Sequence, residues 1–227
     1  MKTVFITGSD KGIGFEFAKQ YAKEGWSVLA SCYDLEVAQD VQQLAHENPH
    51  VKPYQLDVTY CSQIQTLADQ LQGQQIDLLI NNAGILGGEP FGQLDPMTVE
   101  QVFRTNALGP LMVSEAFHPL ITKQTGTLVS ISSKTASIGA DQTEDMVAYR
   151  MSKAALNMAM QEVALKLKPS GIHVLLIAPG FVKTEMGGKS AKLEVSDSVS
   201  KMRQVIAKRN QLTSGGFYDR SGSPIPW

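Results

Sequence analysis

The chain has 227 residues, 43% hydrophobic and 19% charged, with a net charge of −2, which excludes wholesale disorder and the basic footprint of a nucleic-acid binder. Two cysteines, Cys32 and Cys61, are too few for a disulfide framework or a zinc set. With no stretch of roughly twenty apolar residues and an opening apolar run too short for a signal peptide, a cytoplasmic protein with no membrane partner is expected.

Val4, Phe5 and Ile6 predict a first strand that runs out at Thr7 and Gly8. Phe15, Phe17, Ala18, Tyr21 and Ala22 then recur at helical spacing up to Gly25. A second strand over 27–32, a helix over 36–45, a third strand over 51–56, a helix including 64–71 and a fourth strand over 76–80 follow. Residues 96–123 read as one long helix, bent at Gly109-Pro110 because proline lacks a donor and crowds the preceding turn. A fifth strand over 127–131, a helix over 146–168, a sixth strand over 172–177, a helix over 195–209 and strand signals in the tail complete the alternation. The pattern predicts a single α/β domain, residues 1–227, built as a doubly wound parallel sheet of about seven strands with helices on both faces. In such sheets ligands bind at the carboxyl ends of the strands.

The chemistry-bearing residues fall at those ends. Gly8, Gly12 and Gly14, with Asp10, Lys11 and Ile13 between them, form a glycine turn at the first strand–helix crossover. Such a turn lets backbone N–H groups and the positive end of a helix approach a dinucleotide pyrophosphate, although a plain turn has the same composition. Gly188-Lys189-Ser190 lacks the earlier glycine of a nucleoside-triphosphate loop, Lys183 standing in its place, and reads as a polar loop. Tyr149 and Lys153 lie one helical turn apart. An ammonium there favours the phenolate, so the pair can exchange a proton with an alcohol or carbonyl; unrelated surface pairs share that spacing. Ser132-Ser133 after the fifth strand, residues 81–84 after the fourth and residues 179–184 after the sixth each suit a turn if taken alone.

Taken in order, the 8–14 turn, Asn81-Asn82-Ala83-Gly84, Ser133, Tyr149, Lys153 and Pro179-Gly180 resemble the short-chain dehydrogenase/reductase family across essentially the whole chain. The resemblance implies a Rossmann-type fold and a small-molecule carbonyl or alcohol substrate. It implies Tyr149 as acid–base and Lys153 as the group that lowers its pKa and holds the nicotinamide ribose. Ser133 orients the substrate oxygen, with Ser132 left open as the alternative, and Asn106 holds a water that links the lysine to solvent. Asp57 and Val58 meet the adenine, and Asn82, Ala83 and Gly84 line the adenosine side. Pro179 and Gly180 open the loop in which Val182 and Thr184 fix the carboxamide, and no metal is implied.

NADP(H) is favoured over NAD(H), because Ser31 places no carboxylate at the second strand's end and Lys11 matches a basic position of NADP users. Tyr33 stands where many such members carry arginine, Asp10 opposes a phosphate, and Asp34 serves an NAD(H) ribose if the loop register differs. The stretch 139–145, with Asp141, Glu144 and Asp145, is longer than the family pattern and is expected to gate the substrate mouth or repel anions. The loop after Thr184 is short, which implies an open pocket. By analogy a homodimer or homotetramer packs through the two long helices, with Met146, Met151, Met158 and Met160 as interface or core residues. The tail from Gly216 to Trp227 resembles the small carbonyl-reductase-like subgroup that includes sniffer and C-factor proteins. That opens a second reading, a dinucleotide-binding regulatory or signalling protein with weak catalysis.

Overall fold

Seven strands, β1 (Thr3–Thr7), β2 (Ser27–Cys32), β3 (Val51–Gln55), β4 (Leu78–Asn81), β5 (Thr127–Ile131), β6 (His173–Ala178) and β7 (Gly216–Asp219), pair in the order β3-β2-β1-β4-β5-β6-β7. Every pairing is parallel, in a computed structural model that describes residues 1–140 and 145–227. Parallel strands are covered on both faces, so they read as continuous apolar runs. Val4 and Ile6 of β1 face one core, with α1 (Gly12–Lys23), α2 (Gln39–Glu47) and α7 (Val195–Ala207). Phe5 between them faces the other, with α3 (Cys61–Gln70), α5 (Gly109–Phe117) and α6 (Val147–Leu167). β1 and β4 are neighbours while β2 lies on the far side of β1, so the strand order reverses there and opens a crevice at the carboxyl edge.

The long helix expected over 96–123 is instead α4 (Pro96–Phe103), a wide π turn (Arg104–Leu108), α5 and a 3-10 turn (His118–Leu120). The π turn delivers the Gly109 N–H to the Arg104 carbonyl, and Pro110, which has no N–H to donate to the preceding turn, follows it at the start of α5. Asp95 caps α4 by accepting from Met97 N and Thr98 N. The second helix starts at Gln39 rather than 36, because the Asp34 carboxylate accepts from Glu36 N and closes a turn there. Ile76 lies outside β4 and makes an isolated bridge to Ile121.

Candidate active site

The carboxyl ends of β1 and β4 lock together through backbone contact. Gly8 has φ +66°, and a Cβ there would sit 2.9 Å from Ala83 Cα; one on Gly14 would sit 1.9 Å from the Gly8 carbonyl oxygen. Thr7 Oγ1 accepts from Asn82 N at 3.0 Å and Ala83 N at 3.1 Å. Asn82 Nδ2 donates to the Thr7 and Gly8 carbonyls at 3.0 and 2.8 Å, so its side-chain NH2 holds the turn. Ile13 packs into the core at the start of α1. Lys11 precedes α1 in extended backbone without a side-chain cap, which leaves the first N–H groups of the helix open to an anion.

The Lys11 ammonium lies 2.5 Å from the Glu185 carboxylate, whose hydrogen bond raises the lysine pKa. Both side chains are exposed, so the pair is screened and exchangeable. Asp10, the opposing charge read from the sequence, adds a smaller effect of the same sign. Glu185 is 174 residues away and carries no local signal. At the end of β2, Ser31 is buried and donates to the Ile6 carbonyl at 3.2 Å, while Tyr33 is exposed. Asp57 Oδ1 accepts from Thr59 N and Oγ1 at 2.8 and 2.7 Å, and the Val58 carbonyl lies 2.9 Å from where a Gly109 Cβ would be. Beyond β6, the Pro179 carbonyl accepts from Ser198 Oγ at 2.7 Å and Gly180 adopts φ +83°. Val182 is buried and bridges Leu193. Thr184 Cγ2 lies 3.3 Å from where a Gly12 Cβ would be, so this loop rests on the glycine turn.

Four polar side chains meet below this crevice. Tyr149 and Lys153 project from the first turns of α6, and the Lys153 ammonium lies 5.7 Å from the tyrosine ring centroid. Lys153 is buried and donates to the Ile131 carbonyl at 2.9 Å. Burial lowers its pKa to about 8. Burial also raises the Tyr149 pKa, a hydrogen bond from Ser133 opposing it only in part. Desolvation therefore outweighs the ammonium's expected effect on the phenol. Ser133 Oγ also meets Thr135 Oγ1 at 2.9 Å and accepts from Thr135 N at 3.3 Å. Ser132 points the other way, buried, and donates to Asn157 Oδ1 at 2.6 Å. Of the doublet, Ser133 is the serine beside Tyr149.

Asn106 sits in the π turn, fully buried. Its Oδ1 accepts from Ile85 N at 2.8 Å, and its Nδ2 donates to the Ile85 carbonyl at 2.8 Å and to Ser152 Oγ at 3.0 Å. Both side-chain N–H donors are engaged, so the side chain seats Ile85 and Ser152 around the π turn. A Cβ on Gly84 would lie 3.1 Å from Asn106 Oδ1 and 3.6 Å from Lys153 Nζ, so the chain leaving β4 passes close to both side chains. Thr7 and Asn157 were not singled out from the sequence, although Asn157 continues the 149, 153 spacing by one more turn. Of the stretch 139–145, Asp141 and Glu144 lie outside the described residues; Asp145 and Met146 have φ +76° and +55° at the start of α6. Among the described residues no three His, Cys, Asp or Glu form a group that could hold a metal ion. No helix among them is long and apolar enough to cross a membrane.

A sheet in this order, with a glycine turn at its switch point and a serine, tyrosine and lysine below it, defines an α/β oxidoreductase of the Rossmann type. Residues 2–194 match the family model for short chain dehydrogenase. The C-signal of Myxococcus xanthus is 41% identical over 154 residues, covering 67% of this chain and 93% of that protein. The carbonyl reductase Sniffer of D. melanogaster superposes with a TM-score of 0.92 at 28% identity, covering all of both chains. The carbonyl reductase from chicken fatty liver, solved with NADPH bound, gives 0.91 at 31% identity over 100% of this chain and 99% of that one. The chain belongs to the short-chain dehydrogenase family and is an oxidoreductase acting on CH–OH or C=O groups.

Proposed function

We propose that the protein reduces a small aldehyde or ketone to an alcohol with NADPH. The observation that carries this reading is the hydrogen bond between Ser133 and Tyr149 with the buried Lys153 behind the ring. The cradle fits a dinucleotide, because Gly8 and Gly14 leave no room for side chains where the turn meets Ala83 and because the α1 N-terminus is uncapped. Gly8, Gly12, Ile13 and Gly14 hold the pyrophosphate, and Lys11 meets the 2′-phosphate with Asp10 opposing it. Tyr33, Asp57, Val58, Asn82, Ala83 and Gly84 border the adenosine. Pro179, Gly180, Val182 and Thr184 border the nicotinamide, and Lys153 with Tyr149 meets its ribose. The absence of a carboxylate at Ser31 and the NADPH of the chicken enzyme both support NADP(H) over NAD(H).

A nicotinamide bound in this crevice supplies the hydride. As the carbonyl oxygen gains charge, the Ser133 hydroxyl donates a hydrogen bond to it and Tyr149 transfers its proton, a step contributing a rate factor on the order of 10² to 10⁴. The Lys153 ammonium faces the phenolate left behind and, with a pKa of about 8, is still the cation near neutral pH. Asn106 keeps Gly84 and Ile85 seated against the lysine. The unpaired cysteines, Cys61 among them exposed, suit a reducing cytoplasmic setting.

The test is NADPH consumption on addition of a panel of aldehydes and ketones, with NADH alongside; turnover with NADPH preferred is expected. Similarity to the C-signal favours a second reading, a dinucleotide-binding signalling protein. The assembled Ser133, Tyr149 and Lys153 favour the enzyme, and tight NADPH binding without turnover of any carbonyl would reverse that order.

A further inference from the structure

The segment that follows Ser133 rests on the far end of the chain. The Ala136 N–H donates to the Ser133 carbonyl at 3.0 Å and the Ser137 N–H to that of Lys134 at 3.1 Å, so a single 3-10 turn ties Ser137 to Ser133. Ser137 is buried; its hydroxyl donates to the Pro226 carbonyl at 2.5 Å and accepts from Ala140 N at 3.0 Å. The Gly139 N–H donates to the Trp227 main-chain oxygen at 2.8 Å. A Cβ on Gly139 would lie 3.1 Å from that oxygen, so the two backbones cross in close contact.

The tail is itself anchored to the sheet. Its tryptophan ring stacks on Phe217 of β7 with centroids 5.7 Å apart, and Phe217 is buried. The Ile225 N–H donates to the Phe217 carbonyl at 2.9 Å. The turn between them is closed by the Asp219 carboxylate, which accepts from Ser221 N at 2.8 Å and Ser223 N at 3.0 Å. The tail is thus tied to β7 on one side and to residues 137–140, which follow Ser133 in the chain, on the other.

We propose that residues 224–227 are a positioning element of the substrate site. They hold residues 137–140, and so fix where Ser133 stands relative to Tyr149, which sets substrate fit without touching the cofactor. The proposal rests on the reading of Ser133 and Tyr149 as the proton-transfer centre. The test uses the full chain with Trp227→Ala, Trp227→Phe and Ser137→Ala, read by amide hydrogen exchange and by steady-state kinetics with an aromatic ketone that the unmodified protein reduces. Loss of one such contact corresponds to about a tenfold change. Trp227→Ala is expected to speed exchange at Gly139 and Ala140 about tenfold and raise the ketone KM by a similar factor. Exchange in β1 and the Kd for NADPH should stay unchanged, and kcat should stay within about threefold. Trp227→Phe keeps a stacking ring and should restore both values. Should Trp227→Ala not fold, Ser137→Ala, which removes a single hydroxyl, reads the same quantities.

Unchanged exchange over 137–140 would overturn the proposal, and so would faster exchange with an unchanged KM. An unmodified protein that reduces no carbonyl would instead sink the enzymatic reading, together with the role in substrate fit. Exchange would then still report whether the tail holds the segment.

Discussion

Lys153 shows how function and stability oppose each other at one residue. Its folded-state pKa of about 8 lies below the ordinary 10.5, so the buried ammonium is a cost on the order of 3 kcal/mol. The sign follows from linkage. Below pH 8 both states carry the proton and the cost is complete; between about 8 and 10.5 the unfolded chain holds more protons, and the cost is relieved as pH rises. Lys153→Met should therefore melt at or above the unmodified protein at neutral pH without cofactor, even though the Ile131 carbonyl loses a bond worth about 1 kcal/mol. The same variant should lose turnover and cofactor affinity. A melting temperature well below the unmodified protein's would show that the ammonium stabilises the fold. The pH profile follows from the same groups. Tyr149, raised above its ordinary value, stays protonated, so reductive kcat/KM should fall above about pH 8 as Lys153 loses its charge. A profile flat through that pH would contradict the assignment. Lys11 is paired with Glu185, which a 2′-phosphate would have to displace on the proposed NADPH reading. Glu185→Gln and Asp10→Asn should tighten NADPH several-fold, Lys11→Ala should weaken it, and NADH should respond little, differences that fade at high salt. Titrating both cofactors into the three variants checks this.

Among the elements, strands and helical faces were legible wherever the apolar period was intact. The bounds of β2 and β5 and the ends of α6 fall where the pattern puts them, within a residue. The helix over 96–123 was not fully legible. Pro110 announces an interruption, but the π turn before it has tertiary causes: Asn106 is pinned by Ile85 and Ser152, and Gly109 is pressed against Val58. The glycine turn was legible as a turn, whereas its tightness was not. Gly14→Ala places a Cβ 1.9 Å from a backbone oxygen that no rotamer change can move. It should cut NADPH affinity at least about tenfold and lower the melting temperature, with circular dichroism reporting the loss. Normal cofactor binding by this variant would mean that the turn does not cradle the dinucleotide.

For the molecule as a whole, the strand–helix alternation carried the topology, because parallel strands need crossovers that only helices supply. What the sequence could not show are pairings between distant segments, such as Lys11 with Glu185 or Ser137 with Pro226. Of the methionines offered for an interface, Met160 is in the core. Met151, Met158 and Leu165 recur every seventh residue and stand 45%, 64% and 67% exposed on α6, and exposed Phe103 of α4 lines a groove together with Met151. A repeating apolar stripe on one face of a long helix suits a second copy of the chain. Met158→Glu with Leu165→Glu should reduce the sedimenting mass to that of one chain; an unmodified protein that already sediments as a monomer would remove the stripe's role. The central claim, that Tyr149 delivers the proton for carbonyl reduction, is tested most directly by Tyr149→Phe, assayed for NADPH binding and for single-turnover reduction of the best carbonyl found. The substitution keeps the ring and removes the transferable proton. Cofactor affinity within about twofold, with a reduction rate lower by a factor on the order of 10² to 10⁴, is the predicted result. Reduction at the unmodified rate would contradict it.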